Sequence, residues 1–297
     1  MPRFGPVLTA MITPFDAEGG VDFDGAARLA QWLLANGSDG LVLTGSTGEA
    51  STLTDEEQIE LWRVVRAAVD APLIAGSGSN DTAHAVHLTA AAGDTGMDAV
   101  LLVTPYYNRP SQAGIEEHFR RVAAATELPA MLYDIPIRAG RRISPEVIHR
   151  LVATVPNIWA VKDALGDPSA SAHLVAEAPD GFELYSGDDV FTLPLLAIGA
   201  VGVISVAAHW AGRQMGEFIE AFFKGDVERA REVNATLLES YRFEGSGEAP
   251  NPVPTKAMLR VLGLPAGQCR APMGDAPEGL EARAAEVWRN LGNDAPA

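Results

Sequence analysis

Eight short apolar runs, each followed by a longer stretch of helical period, recur along most of the chain, and this alternation constrains the fold more than any other feature. The runs are Val7–Ile12, Gly40–Leu43, Leu73–Ala75, Ala99–Val103, Ala130–Tyr133, Ile158–Val161, Phe182–Tyr185 and Gly202–Ser205. Strands separated by helices must pair in parallel through right-handed crossovers, and eight such units can close with no edge left over. The expected fold is therefore α/β, an eight-stranded parallel (β/α)8 TIM barrel. An open doubly wound sheet would carry a Gly-x-Gly-x-x-Gly turn after its first strand. Leu8–Asp16 holds no glycine, and the cluster Gly76-Ser77-Gly78-Ser79-Asn80 lacks the third.

Helix starts are legible between the runs. Thr54 with Glu57 three residues later reads as a capping box opening Asp55–Val69, and Ser144 before Pro145 reads as an N-cap with a first-turn proline. Beyond the eighth unit the pattern is purely helical. Val227, Ala230, Val233, Leu237, Leu238 and Tyr241 share one face of a helix opened by Asp226, and two more helices are expected near Thr255–Leu262 and Glu278–Leu291. The expected organisation is a barrel catalytic domain over residues 1–225 and a C-terminal helical segment over 226–297.

Charge and cysteine content narrow the function classes. Lys plus Arg number 22 against 39 Asp plus Glu, a net charge of −17, which repels phosphodiester backbones and anionic bilayers, so neither nucleic acid nor membrane is expected as a partner. Cys269 is the only cysteine, which excludes an internal disulfide and a Cys-rich zinc site and points to a reducing cytoplasm. Met1–Thr13 has neither the apolar core nor the cleavage site of a secretory leader. His84 and His87, three apart in a helix expected over Thr82–Ala92, read as surface residues, and no metal is expected.

In a β/α barrel the chemistry sits at the C-terminal ends of the strands. There the chain places Thr44-Gly45-Ser46-Thr47-Gly48-Glu49, Thr104-Pro105-Tyr106-Tyr107-Asn108, Tyr133-Asp134, Lys162-Asp163 and Ser186-Gly187-Asp188-Asp189. Lys162 stands out because the chain has three lysines in all, and it alone continues an apolar strand; Lys224 and Lys256 read as surface residues. A lysine in a dry barrel mouth loses its charge more easily, and the neutral amine can attack a carbonyl to form a Schiff base. The competing reading is a structural ion pair with Asp163 or a glutamate. Tyr133 and Tyr107 could relay protons beside such an amine, or simply pack there. The hydroxyls and amides of Gly45-Ser46-Thr47-Gly48 could cradle a carboxylate, although any tight turn looks similar. Arg138, in Ile135-Pro136-Ile137-Arg138-Ala139-Gly140, could grip a second carboxylate or be a solvated loop cation.

Taken in order, Gly45-Ser46-Thr47-Gly48-Glu49, Thr104-Pro105-Tyr106-Tyr107, Tyr133-Asp134-Ile135-Pro136, Val161-Lys162-Asp163, Ser186-Gly187-Asp188-Asp189 and Gly202-Val203-Ile204-Ser205 resemble the dihydrodipicolinate synthase and N-acetylneuraminate lyase family. The resemblance runs from about Gly5 to Leu291. It implies a class I aldolase-type enzyme in which Lys162 forms a Schiff base with pyruvate and no separate cofactor is needed. It further implies that Tyr133 relays protons with Ser46, that Tyr107 completes the relay from a neighbouring subunit, and that Ser46 and Thr47 hold the pyruvate carboxylate. Gly187 and Ile204 would line the pocket. Ser46 departs from the threonine usual there but keeps the hydroxyl. Arg138 and Asn251-Pro252-Val253-Pro254-Thr255-Lys256 resemble the synthase branch, which implies aspartate semialdehyde as second substrate, the lysine pathway and a homo-oligomer, a dimer or a tetramer built from dimers. The alternatives are an aldolase for a keto sugar acid or a hydroxyproline-derived acid, and a ligand-binding homologue without turnover.

Overall fold

The computed structural model describes residues 2–292; Met1 and residues 293–297, the last five of the expected helical segment, lie outside the described residues. Eight parallel strands close into a barrel in chain order: β1 (Val7–Ala10), β2 (Gly40–Leu43), β3 (Leu73–Gly76), β4 (Ala99–Val103), β5 (Ala130–Asp134), β6 (Ile158–Asp163), β7 (Glu183–Ser186) and β8 (Gly202–Ser205). Closure is made by β1, which pairs with β2 on one side and β8 on the other. Around the barrel lie α1 (Phe23–Ala35), α2 (Asp55–Ala68), α3 (Thr82–Asp94), α4 (Gln112–Ala123), the short α5 (Pro136–Ala139), α6 (Pro145–Thr154), α7 (Pro168–Ala176), the short α8 (Thr192–Leu196) and α9 (Ala208–Phe223). Three helices follow: α10 (Val227–Phe243), α11 (Val253–Val261) and α12 (Leu280–Asn290).

The strands read as unbroken apolar runs because both their faces are buried. One face fills the barrel with Leu8, Val42, Ile74, Leu101, Met131, Ala160, Tyr185 and Ile204. The other packs under the helices through residues such as Leu41, Leu43, Leu73, Val100, Leu132 and Val161. Trimming one fully buried leucine of either layer to alanine costs about 2 to 5 kcal/mol. The capping box at Thr54 forms in both directions, with Glu57 N donating to Thr54 Oγ1 (3.2 Å) and Thr54 N to the Glu57 carboxylate (3.0 Å). Ser144 likewise caps α6 ahead of Pro145.

Strand lengths depart from the sequence expectation where they matter chemically. β1 stops at Ala10, whereas β5 and β6 run on through Asp134 and Asp163, pairing Tyr133 with Lys162 and Asp134 with Asp163. Ladder register also breaks once, between Ala130 and Met131, where β6 accommodates one extra residue at Trp159. That bulge resets the inside–outside alternation of β6: Ile158 and Val161 join the outer layer, Trp159 and Ala160 the inner one.

Candidate active site

Past the bulge, the residue of β6 that turns into the barrel is Lys162. Its Nζ lies 4.3 Å from the centre of the Tyr133 ring, on the neighbouring strand. Asp134 and Asp163 point the other way, toward α6 and α7. Asp134 accepts from Ile143 N (3.1 Å), and Asp163 accepts from Leu165 N (2.8 Å) and from the Ser171 hydroxyl. The alternative of a Lys162–Asp163 ion pair is therefore not realised, and among the described residues no carboxylate lies within salt-bridge distance of Lys162.

Burial sets the chemistry of both inward groups. Lys162 is 6% exposed, and desolvation brings its pKa down to about 8, helped by the Arg138 charge and opposed by Asp189 and Asp188. At pH 7 about a tenth of such an amine is neutral, against a few parts in ten thousand for an ordinary lysine. Desolvation pushes the Tyr133 phenol up to about 12, opposed by the Arg138 charge and by a hydrogen bond with Ser46. Tyr133 thus stays protonated and able to donate. Gly187 leaves Lys162 room: a Cβ there would stand 3.0 Å from Lys162 Cγ, and its N–H is given to Asp163 O (2.7 Å). Ile204 is buried in the inner layer on β8.

The turn after β2 is bent by two non-glycine residues with positive φ, Thr44 at 52° and Glu49 at 53°. Such conformations persist only where surrounding contacts hold them. Thr44 Oγ1 accepts from Trp62 Nε1 (2.9 Å), and Thr13 donates to Gly48 O (2.7 Å). Ser46 is exposed at the mouth, whereas Thr47 is buried and its Oγ1 accepts from Asn251 Nδ2 (2.9 Å). The carbonyl of Asn251 in turn accepts from Arg138 Nη2 (3.3 Å). Arg138 is exposed, and it belongs to the helical turn α5 rather than to an open loop, because Pro136 starts that turn and Gly140 ends it at φ 72°. Asn251, just ahead of α11, thus touches both proposed carboxylate grips. From the sequence it contributed only to a family likeness; its contacts join residues 204 and 113 positions apart and left no local signal.

Tyr107 is 88% exposed on this chain, at φ 70°, so it does not join Tyr133 and Lys162 within one subunit. Lys256, read from sequence as a surface residue, is fully buried: its Nζ pairs with Glu49 (2.7 Å), donates to Gln268 O (3.1 Å) and sits 3.9 Å from the Phe15 ring centre. Asn251–Thr255 read as a loop with Lys256 just beyond it, but α11 already begins at Val253 and turns position 256 inward. Lys224 does lie at the surface, paired with Glu220 (2.6 Å). His84 and His87 face Asp55 at 2.7 and 3.7 Å, and no group of three or more His, Cys, Asp or Glu suited to a metal occurs among the described residues. None of the described helices is long and apolar enough to cross a membrane.

An amine with a lowered pKa, set against a phenol inside a closed barrel, is the arrangement that a class I aldolase-type enzyme requires for attack on a carbonyl. Comparison with known proteins gives the family. Residues 3–287 match the Dihydrodipicolinate synthetase family, and the chain belongs to it. It is 47% identical over 292 residues to 4-hydroxy-tetrahydrodipicolinate synthase of Moorella thermoacetica, covering 98% of this chain and 99% of the relative. Among solved structures it superposes with TM-score 0.94 on DHDPS from Cyanidioschyzon merolae with lysine bound, at 41% identity, covering 97% and 98% of the two chains. It also matches a structure described as the first monomeric dihydrodipicolinate synthase variant, with TM-score 0.92, 33% identity and 97% of each chain covered.

Proposed function

We propose that this enzyme joins pyruvate to aspartate semialdehyde through a Schiff base on Lys162, on the route to lysine and diaminopimelate. The observation that carries the assignment is the buried amine of Lys162, lowered to about 8 and set 4.3 Å from the Tyr133 ring. The near full-length likeness to a 4-hydroxy-tetrahydrodipicolinate synthase supports it. The neutral amine adds to the pyruvate keto carbon, and Tyr133, in contact with Ser46, protonates the carbonyl oxygen so that it leaves as water. Loss of a methyl proton from the imine gives an enamine. Its carbon attacks the aldehyde carbon of the second substrate, forming the new C–C bond, and the aldehyde oxygen takes up a proton. The substrate's own amine then adds to the imine carbon, closing a ring and expelling Lys162. The Schiff base is made on the protein's own lysine, and the sequence of steps calls for no further cofactor.

Thr47 and Ser46 receive the pyruvate carboxylate in this scheme, Gly187 and Ile204 shape the pocket, and Arg138 binds the carboxylate of aspartate semialdehyde. The working unit is a homo-oligomer, a dimer or a tetramer built as a dimer of dimers, in which Tyr107 serves a neighbour's site. Its exposure, together with that of Ile137 at 90%, supports a second copy packing there. We assign the enzyme to the cytoplasm. A turnover assay with pyruvate and either aspartate semialdehyde or a panel of sugar-acid aldehydes tests the substrate; preference for a sugar-acid aldehyde overturns it.

A further inference from the structure

Glu49 is an unusual residue to find between a strand and a helix. It adopts the left-handed conformation, its side chain is 2% exposed, and both its carboxylate oxygens are taken by the C-terminal part of the chain. Lys256 Nζ lies 2.7 Å from Oε1, and Arg270 N donates to Oε2 (2.9 Å). On its other side Glu49 N donates to Ser46 O (3.2 Å), and Ala50 N donates to Gly45 O (3.3 Å). The same four-residue turn carries Ser46 and Thr47, and Thr47 is tied to Asn251, five positions before Lys256. Burying a full ion pair is an expensive way to gain stability, since apolar residues of similar volume commonly do as well. Its geometric effect is harder to replace: it fixes one end of a strained turn.

We propose that Lys256 is a positioning residue whose buried pair with Glu49 holds the Ser46–Thr47 turn in the shape that receives the pyruvate carboxylate. The C-terminal helix α11 thereby forms part of the pyruvate site without touching pyruvate. Lys256 does not act as a nucleophile: its amine is engaged by Glu49 and the Gln268 carbonyl over the Phe15 ring. The inference rests on the pyruvate chemistry proposed above.

Borohydride trapping on Lys162, with pyruvate and separately with acetone, which lacks the carboxylate, provides the test. Lys256→Met strands a buried carboxylate and risks unfolding, so the decisive variant is the double Lys256→Met, Glu49→Gln, which leaves no buried charge behind. In the double variant the pyruvate concentration for half-maximal trapping should rise about tenfold or more, with trapping by acetone unchanged, because a misplaced binding group penalises only the ligand that uses it. Lys256→Arg should recover part of the pyruvate effect. Equal losses for both ketones, or wild-type pyruvate trapping in a folded double variant, would overturn the positioning role. Failure of pyruvate to trap wild-type Lys162 would instead remove the pyruvate reading itself.

Discussion

Two lysines of this chain are buried against aromatic rings, and their partners differ. Lys162 stands over Tyr133 at the barrel mouth with no ion-pair partner among the described residues, whereas Lys256 stands over Phe15 in the seam between barrel and C-terminal helices, clamped to Glu49. Desolvation lowers the pKa of both. Burial alone therefore does not make a nucleophile. What separates them is the partner: among the described residues Lys162 has no carboxylate at salt-bridge distance, whereas the Lys256 amine is held 2.7 Å from Glu49 Oε1. The rings differ as well, since Tyr133 offers a hydroxyl for proton transfer and Phe15 has none.

The contrast breaks most directly through covalent labelling. Lys162→Ala should abolish borohydride-trapped pyruvate and lower turnover by about 10⁴-fold or more. Mass-spectrometric mapping of wild-type protein should place the adduct on Lys162 alone, and an adduct on Lys256 would erase the distinction. Giving Lys162 the ring that Lys256 has, through Tyr133→Phe, should leave pyruvate binding largely intact and slow turnover by about 10²-fold, as expected for losing one proton-transfer group. Steady-state kcat measured beside trapping at saturation separates the two effects.

Arg138 probes Lys162 from the substrate side: its charge lowers the Lys162 pKa, and it is the residue proposed to grip the second carboxylate. Arg138→Ala should reduce kcat/KM for aspartate semialdehyde by about 10²-fold through loss of a charge-assisted grip, and pyruvate should still label Lys162. Unchanged preference for aspartate semialdehyde would assign its carboxylate elsewhere. A smaller effect is expected in pH dependence. The rate of trapping should climb as pH rises through about 8, following the neutral fraction of Lys162, while Lys256 remains unlabelled throughout that range. Behind the site, burial raises Asp134 from 3.8 to about 7. The folded state then holds a proton that the unfolded chain releases, so this contribution to stability is complete below about pH 4 and is lost as pH rises through about 7. Thermal unfolding across that range should show the decline, and Asp134→Asn should flatten it.

Much of the barrel was open to reading because parallel strands buried on both faces leave unbroken apolar runs, and three of the eight, Gly40–Leu43, Ala99–Val103 and Gly202–Ser205, match the observed limits. The turn and capping chemistry at Thr54 and Ser144 is equally local and equally legible. Residues at strand ends could be named for the same reason: a polar group that ends an apolar run has to face the mouth or be satisfied beside it. Lys256 was misread because the segment ahead of it, Asn251-Pro252-Val253-Pro254-Thr255, reads as a loop. Its burial depends on Glu49 and Phe15, more than two hundred positions away. Asn251 escaped for the same reason, its partner Thr47 being equally remote.

The sequence by itself determined the alternation of strands and helices, the polar residues that end each strand, and the scarcity of lysine that draws attention to Lys162. Which way those residues point was decided in the tertiary structure. A strict alternation along β6 from Ile158, which faces the helices, would have sent Lys162 outward and Asp163 into the barrel. The extra residue at Trp159, accommodated against β5 between Ala130 and Met131, reverses that choice. A bulge is a property of two strands paired in register, and no pattern within one strand can specify it.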